Sequence, residues 1–234
     1  KKFWENLMKR ELKKRIITSI VLIAIVLNCL FINNFSWLFL LLIVSFICWI
    51  EFINLNKRIL KRKAKIIFPI ILSFFFLLLF IYAAYKLRAD EGTVATLFVL
   101  GVCIFSDIGG YIIGKSIGGK KLTKISPKKT ISGSVGSFLF SLFPLGILMI
   151  YDSQLKEWVY NAQEFHPSAK YILFCLFISL SCQLGDLIIS YFKRLAKVKD
   201  TGKILPGHGG MLDRIDGVIF AIPATILIIQ PLVF

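Results

Sequence analysis

In the segment QLGDLIISYFKR, Asp186, Ser190 and Lys193 recur at i, i+4 and i+7. On a helix these positions share one face, so a carboxylate, a hydroxyl and an ammonium form a descending row. Shortly after comes KDTGKILPGHGGMLDRIDG, residues 199 to 217, where Gly202, Gly207, Gly209, Gly210 and Gly217 with Pro206 mark a turn-rich loop. The same loop concentrates His208, Asp213, Arg214 and Asp216, with the two acids at i and i+3 as a last helix begins. Carboxylates interleaved with basic groups suit a hard divalent cation that holds phosphates, since Mg²⁺ prefers oxygen ligands and keeps substrate phosphates in its shell. Each feature has a plainer reading. Asp186 and Lys193 could simply pair at a helix end, and Asp213 and Asp216 could simply meet the positive end of a helix dipole.

Three further places invite chemistry. GGYIIGKS, residues 109 to 116, satisfies the phosphate-loop pattern G-x-x-x-x-G-K-[ST], but such a loop follows a buried strand. Here it follows TVATLFVLGVCIFSDI, an apolar run of helix length, so a soluble nucleotide hydrolase is excluded. As part of a helix, Gly110, Gly114 and Gly118 give one smooth face, open equally to helix packing, to the approach of a ligand, or to a second copy in a homodimer. Asp107 lies three residues before Gly110. A carboxylate at the centre of a membrane helix costs roughly 2.5 to 3.5 kcal/mol, and less toward the interface, so its retention points to a partner. Glu51, in CWIEFINLNKR, lies within two turns of Lys57 and Arg58, which are its expected ion-pair partners in a structural role. The five cysteines fall inside apolar runs without C-x-x-C spacing, which predicts small buried hydrophobes and neither disulfides nor a zinc site.

These residues must be positioned by membrane helices. Hydrophobic residues make up 57% of the 234, 22 of them Phe, and only 18% are charged. A bilayer-spanning helix needs about 20 mostly apolar residues. Apolar runs at roughly 16 to 32, 35 to 55, 66 to 85, 93 to 113, 133 to 151, 170 to 192 and 216 to 234 therefore predict an all-α polytopic membrane protein of about seven helices. One membrane-embedded domain, 1 to 234, is expected, with N-terminal helices over 1 to 92 and catalytic helices and loops over 93 to 234. The first run is too long, and lacks the small-x-small site, for a cleaved signal.

Charge placement sets an orientation. All of the 29 basic residues except Lys86, Arg88, Lys156 and Lys170 fall in the N-terminal segment and in the loops after the second, fourth and sixth runs. The intervening loops carry Asp90, Glu91, Asp152, Glu157 and Glu164 instead. The positive-inside rule then places the N-terminus and the charged loops in the cytoplasm, and the C-terminus outside, of a multi-pass protein of the cell's inner membrane. The net charge of +16 coats that face, where anionic headgroups and nucleotides are met. Basic residues split by spans form no continuous surface for nucleic acid.

The segment SYFKRLAKVKDTGKILPGHGGMLDRID, Ser190 to Asp216, resembles the diagnostic motif of the phosphatidate cytidylyltransferases, also called CDP-diacylglycerol synthases. Its pattern is S-x-hydrophobic-K-R, K-D-x-G, then L-P-x-H-G-G-hydrophobic-x-D-R-hydrophobic-D, without a gap. LGD at Leu184 to Asp186, and SDIGGYIIGKSIGGKKLTKISPKKT from Ser106 to Thr130, are similar to further family segments. The resemblance covers roughly the C-terminal half. Ser132 and Ile189 stand where relatives often carry Glu, and the chain has fewer N-terminal spans than many relatives and no long hydrophilic extension, which favours a bacterial origin.

What the resemblance implies is the transfer of CMP from CTP to phosphatidic acid, giving CDP-diacylglycerol and pyrophosphate with Mg²⁺, and it leaves open a second, monovalent cation. A phosphatidate phosphomonoester is already largely a dianion near neutral pH, so the chemistry asks for positioning and charge neutralisation rather than a protein nucleophile. By the same resemblance Asp186, Asp213 and Asp216 bind the cation, and Lys193, Arg194 and Arg214 neutralise phosphates. Lys128 and Lys129 hold CTP or pyrophosphate, Ser190 binds phosphate or water, and His208 contacts the leaving group or caps its loop. Asp107 and Tyr111 shape the nucleotide or lipid cavity, and Lys199 and Asp200 contact substrate. The expected partners are CTP, phosphatidic acid and membrane lipid. The alternatives are a CTP-dependent polyprenol kinase and a small ion-coupled transporter.

Overall fold

The computed structural model describes the backbone of residues 2–60, 63–123, 125–151 and 169–233, and side chains for 12–60, 67–123, 125–148 and 169–228. Lys61, Arg62, Lys124, Asp152, Lys156, Glu157 and Glu164 lie outside the described residues, as do the side chains of Lys2, Lys9, Arg10, Lys63 and Lys65. Among the described residues there are helices and two isolated bridges, and no strand. The helices are α1 (Lys2–Ile32), α2 (Asn34–Ile59), α3 (Lys63–Asp90), α4 (Gly92–Ile117), α5 (Ile131–Ser141), α6 (Phe143–Tyr151), α7 (Ala169–Leu195), α8 (Leu212–Ile215) and α9 (Val218–Val233).

The protein is an all-α, multi-pass membrane protein. Among the described residues six spans, at Leu12–Ile32, Asn34–Ile59, Ile67–Asp90, Gly92–Ile117, Ile131–Leu148 and Ala169–Leu195, are long and apolar enough to cross a bilayer. In hydrocarbon every backbone polar group must be satisfied within its own segment, and a helix does this. Two of the expected runs differ from simple spans. The fifth is broken at Leu142, because Pro144 lacks an N–H and its ring crowds the carbonyl one turn back, so α6 starts anew with proline in its first turn. The last run yields only a shorter apolar helix over its described part, Val218–Ile228. At the other end, α1 extends far beyond the first apolar run, so the N-terminal basic residues ride on a helix rather than a loop.

The chain forms two compact units. The first comprises residues 1–93 and 191–216: helices α1 to α3, the last turn of α7, the glycine-rich loop and α8. Asn33 alone separates α1 from α2 and caps α2, its side chain accepting from Ser36 N at 2.7 Å while Ser36 Oγ accepts from Asn33 N. The buried Trp37 ring donates to Ala84 O of α3 at 3.0 Å, and Arg88 Nε reaches Leu30 O at 3.0 Å, so polar side chains tie the three helices at one end.

The second unit comprises residues 94–190 and 217–234, with α4 to α6, most of α7, and α9. It is assembled on small residues, as membrane helices commonly are. A Cβ added at Gly109 would strike Gly136 O and Phe140 Cβ; one added at Gly136 would stand 2.5 Å from Ile113 Cβ. Gly110 faces Ser137, and a Cβ added at Gly114 would stand 3.3 Å from Gly133 Cα. Of the predicted glycine face, then, Gly110 and Gly114 serve packing of α4 against α5 and are covered within the chain. Gly118 lies past the end of α4 with φ of +63°, where a left-handed residue stops the helix. Ser106 and Ser179 share a buried hydrogen bond of 2.8 Å between α4 and α7.

Candidate functional site

In the second unit the sequence KKLTKISPKKT folds back on itself. Lys121 and Thr130 form an antiparallel bridge, with Leu122 N donating to Lys129 O at 2.8 Å and Ile131 N to Lys120 O at 3.0 Å. The tip is a β-turn closed by Lys129 N to Ser126 O at 3.0 Å, with Pro127 at the position whose fixed φ the turn needs. Thr130 then caps α5 through Gly133 N. Serine, proline and threonine thus build the frame that presents Lys128 and Lys129. Lys128 is exposed, whereas Lys129 Nζ is 2.5 Å from Asp186 Oδ2. The other oxygen of Asp186 accepts from Ser190 Oγ at 3.2 Å, the expected i, i+4 contact on α7. Asp107, 3.9 Å from Cys182 Sγ, stands within electrostatic range of Asp186 and Lys129. A carboxylate, a hydroxyl and a lysine meet here, with a second carboxylate in electrostatic range.

The expectation that Asp186 might merely pair with Lys193 is not met: among the described residues Asp186 pairs with Lys129, and Lys193 with Asp213. Tyr111 is 67% exposed on α4 and holds Lys115, whose Nζ lies 3.3 Å from the phenol oxygen and 5.5 Å from the ring centre. The departures from the family pattern are also placed. Ser132 donates to Gly118 O, tying α5 to the end of α4, and Ile189 is 5% exposed in the core of its unit.

In the first unit the motif following Ser190 makes a second charged cluster. Helix α7 ends with paired bonds from Lys197 N to Arg194 O and Val198 N to Lys193 O, both 3.0 Å, with Lys197 left-handed at φ 55° where glycine is usual. Leu205-Pro206-Gly207-His208 is a turn closed at 2.9 Å, with Pro second and Gly207 third at φ 75°, the type II signature. His208 Nε2 is 3.2 Å from Ser19 Oγ of α1, and Thr18 Oγ1 donates to Pro206 O. Burial and the charges of Arg214 and Arg15 lower the pKa of His208 below its ordinary value, which favours the neutral ring. Arg214 donates twice to His208 O, at 2.7 and 3.3 Å, so its guanidinium closes the loop. Of the remaining predicted residues, Arg194, Lys199 and Asp200 are exposed, and Asp216 lies in the turn between α8 and α9.

Asp213 is the centre of this cluster. Its Oδ1 accepts from Lys193 Nζ at 2.8 Å, and its Oδ2 faces Thr201 N at 2.8 Å, Thr201 Oγ1 at 3.0 Å and Gly210 N at 3.1 Å. Burial pushes its pKa up, but the Lys193 ammonium and the two backbone N–H groups outweigh this and hold the carboxyl below its ordinary value. A residue outside the motif completes the arrangement: Glu51 of α2, 2% exposed, accepts from Thr201 Oγ1, Met211 N and Leu212 N. The predicted pairing of Glu51 with Lys57 and Arg58 is therefore wrong, since both bases are exposed and the carboxylate turns inward to the loop.

The two clusters differ as hosts for a cation. Among the described residues no group of three or more His, Cys, Asp or Glu side chains gathers to hold a metal ion. In the second unit Asp186, its Oδ2 on Lys129, has the chemistry for a hard ion that draws its other ligands from phosphate and water, with Asp107 in electrostatic range. Asp213 is different: both its oxygens are occupied, and an ion there has to displace the ammonium of Lys193.

These features define a class: a helical multi-pass membrane protein whose interhelical loops carry lysines and carboxylates in tight, glycine- and proline-shaped turns. The chain matches the family model described as the cytidylyltransferase family over residues 57–232, and it belongs to that family. It is 41% identical over 149 residues to the phosphatidate cytidylyltransferase of Staphylococcus aureus strain COL, covering 62% of this chain and 53% of the relative. Proteins of the same name from Staphylococcus saprophyticus and Staphylococcus epidermidis are 40% and 42% identical over the same shares. The chain spans about half the length of these relatives.

Proposed function

We propose that the protein transfers CMP from CTP to phosphatidic acid, releasing pyrophosphate and leaving CDP-diacylglycerol in the membrane. The observation that carries this reading is the contact of Lys129 with Asp186, which joins the S-P-K-K-T turn to the L-G-D segment, two stretches the family resemblance singles out separately. A lysine poised on a helical carboxylate is equipped to exchange that partner for a phosphate as a cation takes its place. The membership of the family and the relatives' names supply the nucleotide and lipid classes.

In this reading Asp186 would hold Mg²⁺, with Asp107 in electrostatic range of it; the resemblance gives Asp213 and Asp216 a cation-binding role as well, which at Asp213 requires Lys193 to leave for phosphate. The ion supplies charge neutralisation and polarisation at the α-phosphorus. Lys128 and Lys129 bind the triphosphate, Lys193, Arg194 and Arg214 balance its charge, and Lys199 and Asp200 contact substrate from the exposed loop. Ser190 keeps the Asp186 carboxylate oriented. A neutral His208 is suited to a hydrogen bond rather than to standing charge. Both charged loops face the cytoplasm, where CTP is found, in a protein of the cytoplasmic membrane. The test is labelled CTP supplied with Mg²⁺ to the full chain in detergent micelles. Label entering the lipid phase only when phosphatidic acid is present, with pyrophosphate released, is the expected result. Release of CDP instead would indicate γ-phosphate transfer to a lipid alcohol and overturn the reading.

A further inference from the structure

Glu51 carries more of the first unit than a buried structural acid needs to. Its Oε2 accepts from Thr201 Oγ1 at 2.8 Å and Leu212 N at 2.9 Å, and its Oε1 from Met211 N at 3.0 Å. The loop is shaped to admit it. A Cβ at Gly202 would collide with Oε1, and one at Gly210 would stand 2.5 Å from Oε2. Two of the motif's glycines therefore leave room for a side chain that the motif does not contain. On the same loop, Asp213 Oδ2 accepts from Thr201 N and Gly210 N and lies 3.0 Å from Thr201 Oγ1, whose one proton serves either carboxylate. Both carboxylates hold this short stretch, and both lie within hydrogen-bond reach of the Thr201 hydroxyl. A buried polar network with its members satisfied fixes a single geometry, and here that geometry includes the placement of Asp213 and of Arg214 beside it.

We propose that Glu51 is a positioning residue for nucleotidyl transfer, clamping Thr201, Met211 and Leu212 so that Asp213 stays in place to receive the cation as substrate phosphates draw the Lys193 ammonium away from it. The inference rests on the functional reading above. Its test compares the full-length parent with E51A and E51Q in detergent micelles, each assayed with labelled CTP and phosphatidic acid across a Mg²⁺ series. In E51A the rate per folded molecule falls about 100-fold, the loss typical of a misplaced catalytic geometry. The Mg²⁺ concentration at half-maximal rate rises about tenfold, one factor of ten in affinity for a displaced ligand. E51Q can keep an oxygen toward Thr201 and Leu212, and it recovers to within about tenfold of the parent. Simple loss of folded protein lowers the rate at every Mg²⁺ concentration and leaves the midpoint in place. Amide hydrogen exchange at Met211 and Leu212, faster in E51A than in the parent, reports the clamp without turnover. If E51A does not fold, a shifted midpoint and faster exchange in E51Q carry the test. An unshifted midpoint in the folded variants, or unchanged exchange at both amides, overturns the inference. A parent that makes no lipid product removes the functional reading itself, and is distinguished by the exchange result.

Discussion

Replacing Asp213 with Asn separates the charge of this residue from its shape. The side-chain oxygen of Asn can occupy the place of Oδ2 and keep Thr201 N and Gly210 N, but its amide then faces the Lys193 ammonium now 2.8 Å from Oδ1. The side chains of Lys193 and Asp213 are 14% and 6% exposed, so the lysine is left with little water. Removing one partner of a buried pair costs about 3–5 kcal/mol, most of it the stranded charge. Partial access of Lys193 favours the lower end, about 3 kcal/mol, which for a chain of this size lowers Tm by about 6–12 °C. Lys193→Met strands a carboxylate that still has neutral donors and costs less, about 2 kcal/mol. The double variant removes both charges, so a cycle should show coupling of about 1–3 kcal/mol. Thermal unfolding of the four proteins in one detergent measures this. A single variant within a degree of the parent, or strict additivity, would refute the claim that Lys193 and Asp213 form a buried, coupled pair.

Lys129→Ala should reduce lipid labelling about 100-fold, the usual loss for one preorganised group facing developing charge, while Lys128→Ala, exposed at the same turn, should cost less; initial rates compare them. Lys197→Gly should stabilise the protein by about 0.5–1 kcal/mol, since glycine relieves the left-handed backbone at φ 55°, and unfolding temperature is the readout. Gly109→Ala should destabilise by about 1–3 kcal/mol through its clash with Gly136 O and Phe140, seen in the same assay. The folded pKa of Asp213 is held below its ordinary 3.8, so the folded state binds fewer protons than the unfolded one there. Its contribution is present above about pH 3.8 and is lost as pH falls through the folded value. Unfolding temperature should therefore drop on acidification below that point, and less steeply in Asp213→Asn.

The membrane helices are legible because a helix that crosses lipid needs a long, nearly continuous apolar run. Pro144 carried the signal for the break between α5 and α6, but the surrounding residues are so apolar that the run continues unbroken in hydropathy. Asp186, Lys129, Lys193 and Asp213 were all recognisable as chemistry-bearing. Their pairings were not, because a contact between segments distant in sequence leaves no periodic trace. The glycines of α4 showed a smooth face without showing what covers it, since Gly133 and Gly136 lie on the next helix. Glu51 was misread for a related reason. Lys57 and Arg58 are close along the chain, whereas the amides that capture the carboxylate belong to residues 211 and 212.

That capture bears on where the working module begins. The region shared with the family starts at residue 57, downstream of Glu51. A fragment excised at that border would keep every recognisable signature letter and yet lose the anion around which Gly202 and Gly210 are moulded. Grafts, chimeras and minimal versions of this chain should accordingly carry α2 along with the glycine-rich loop.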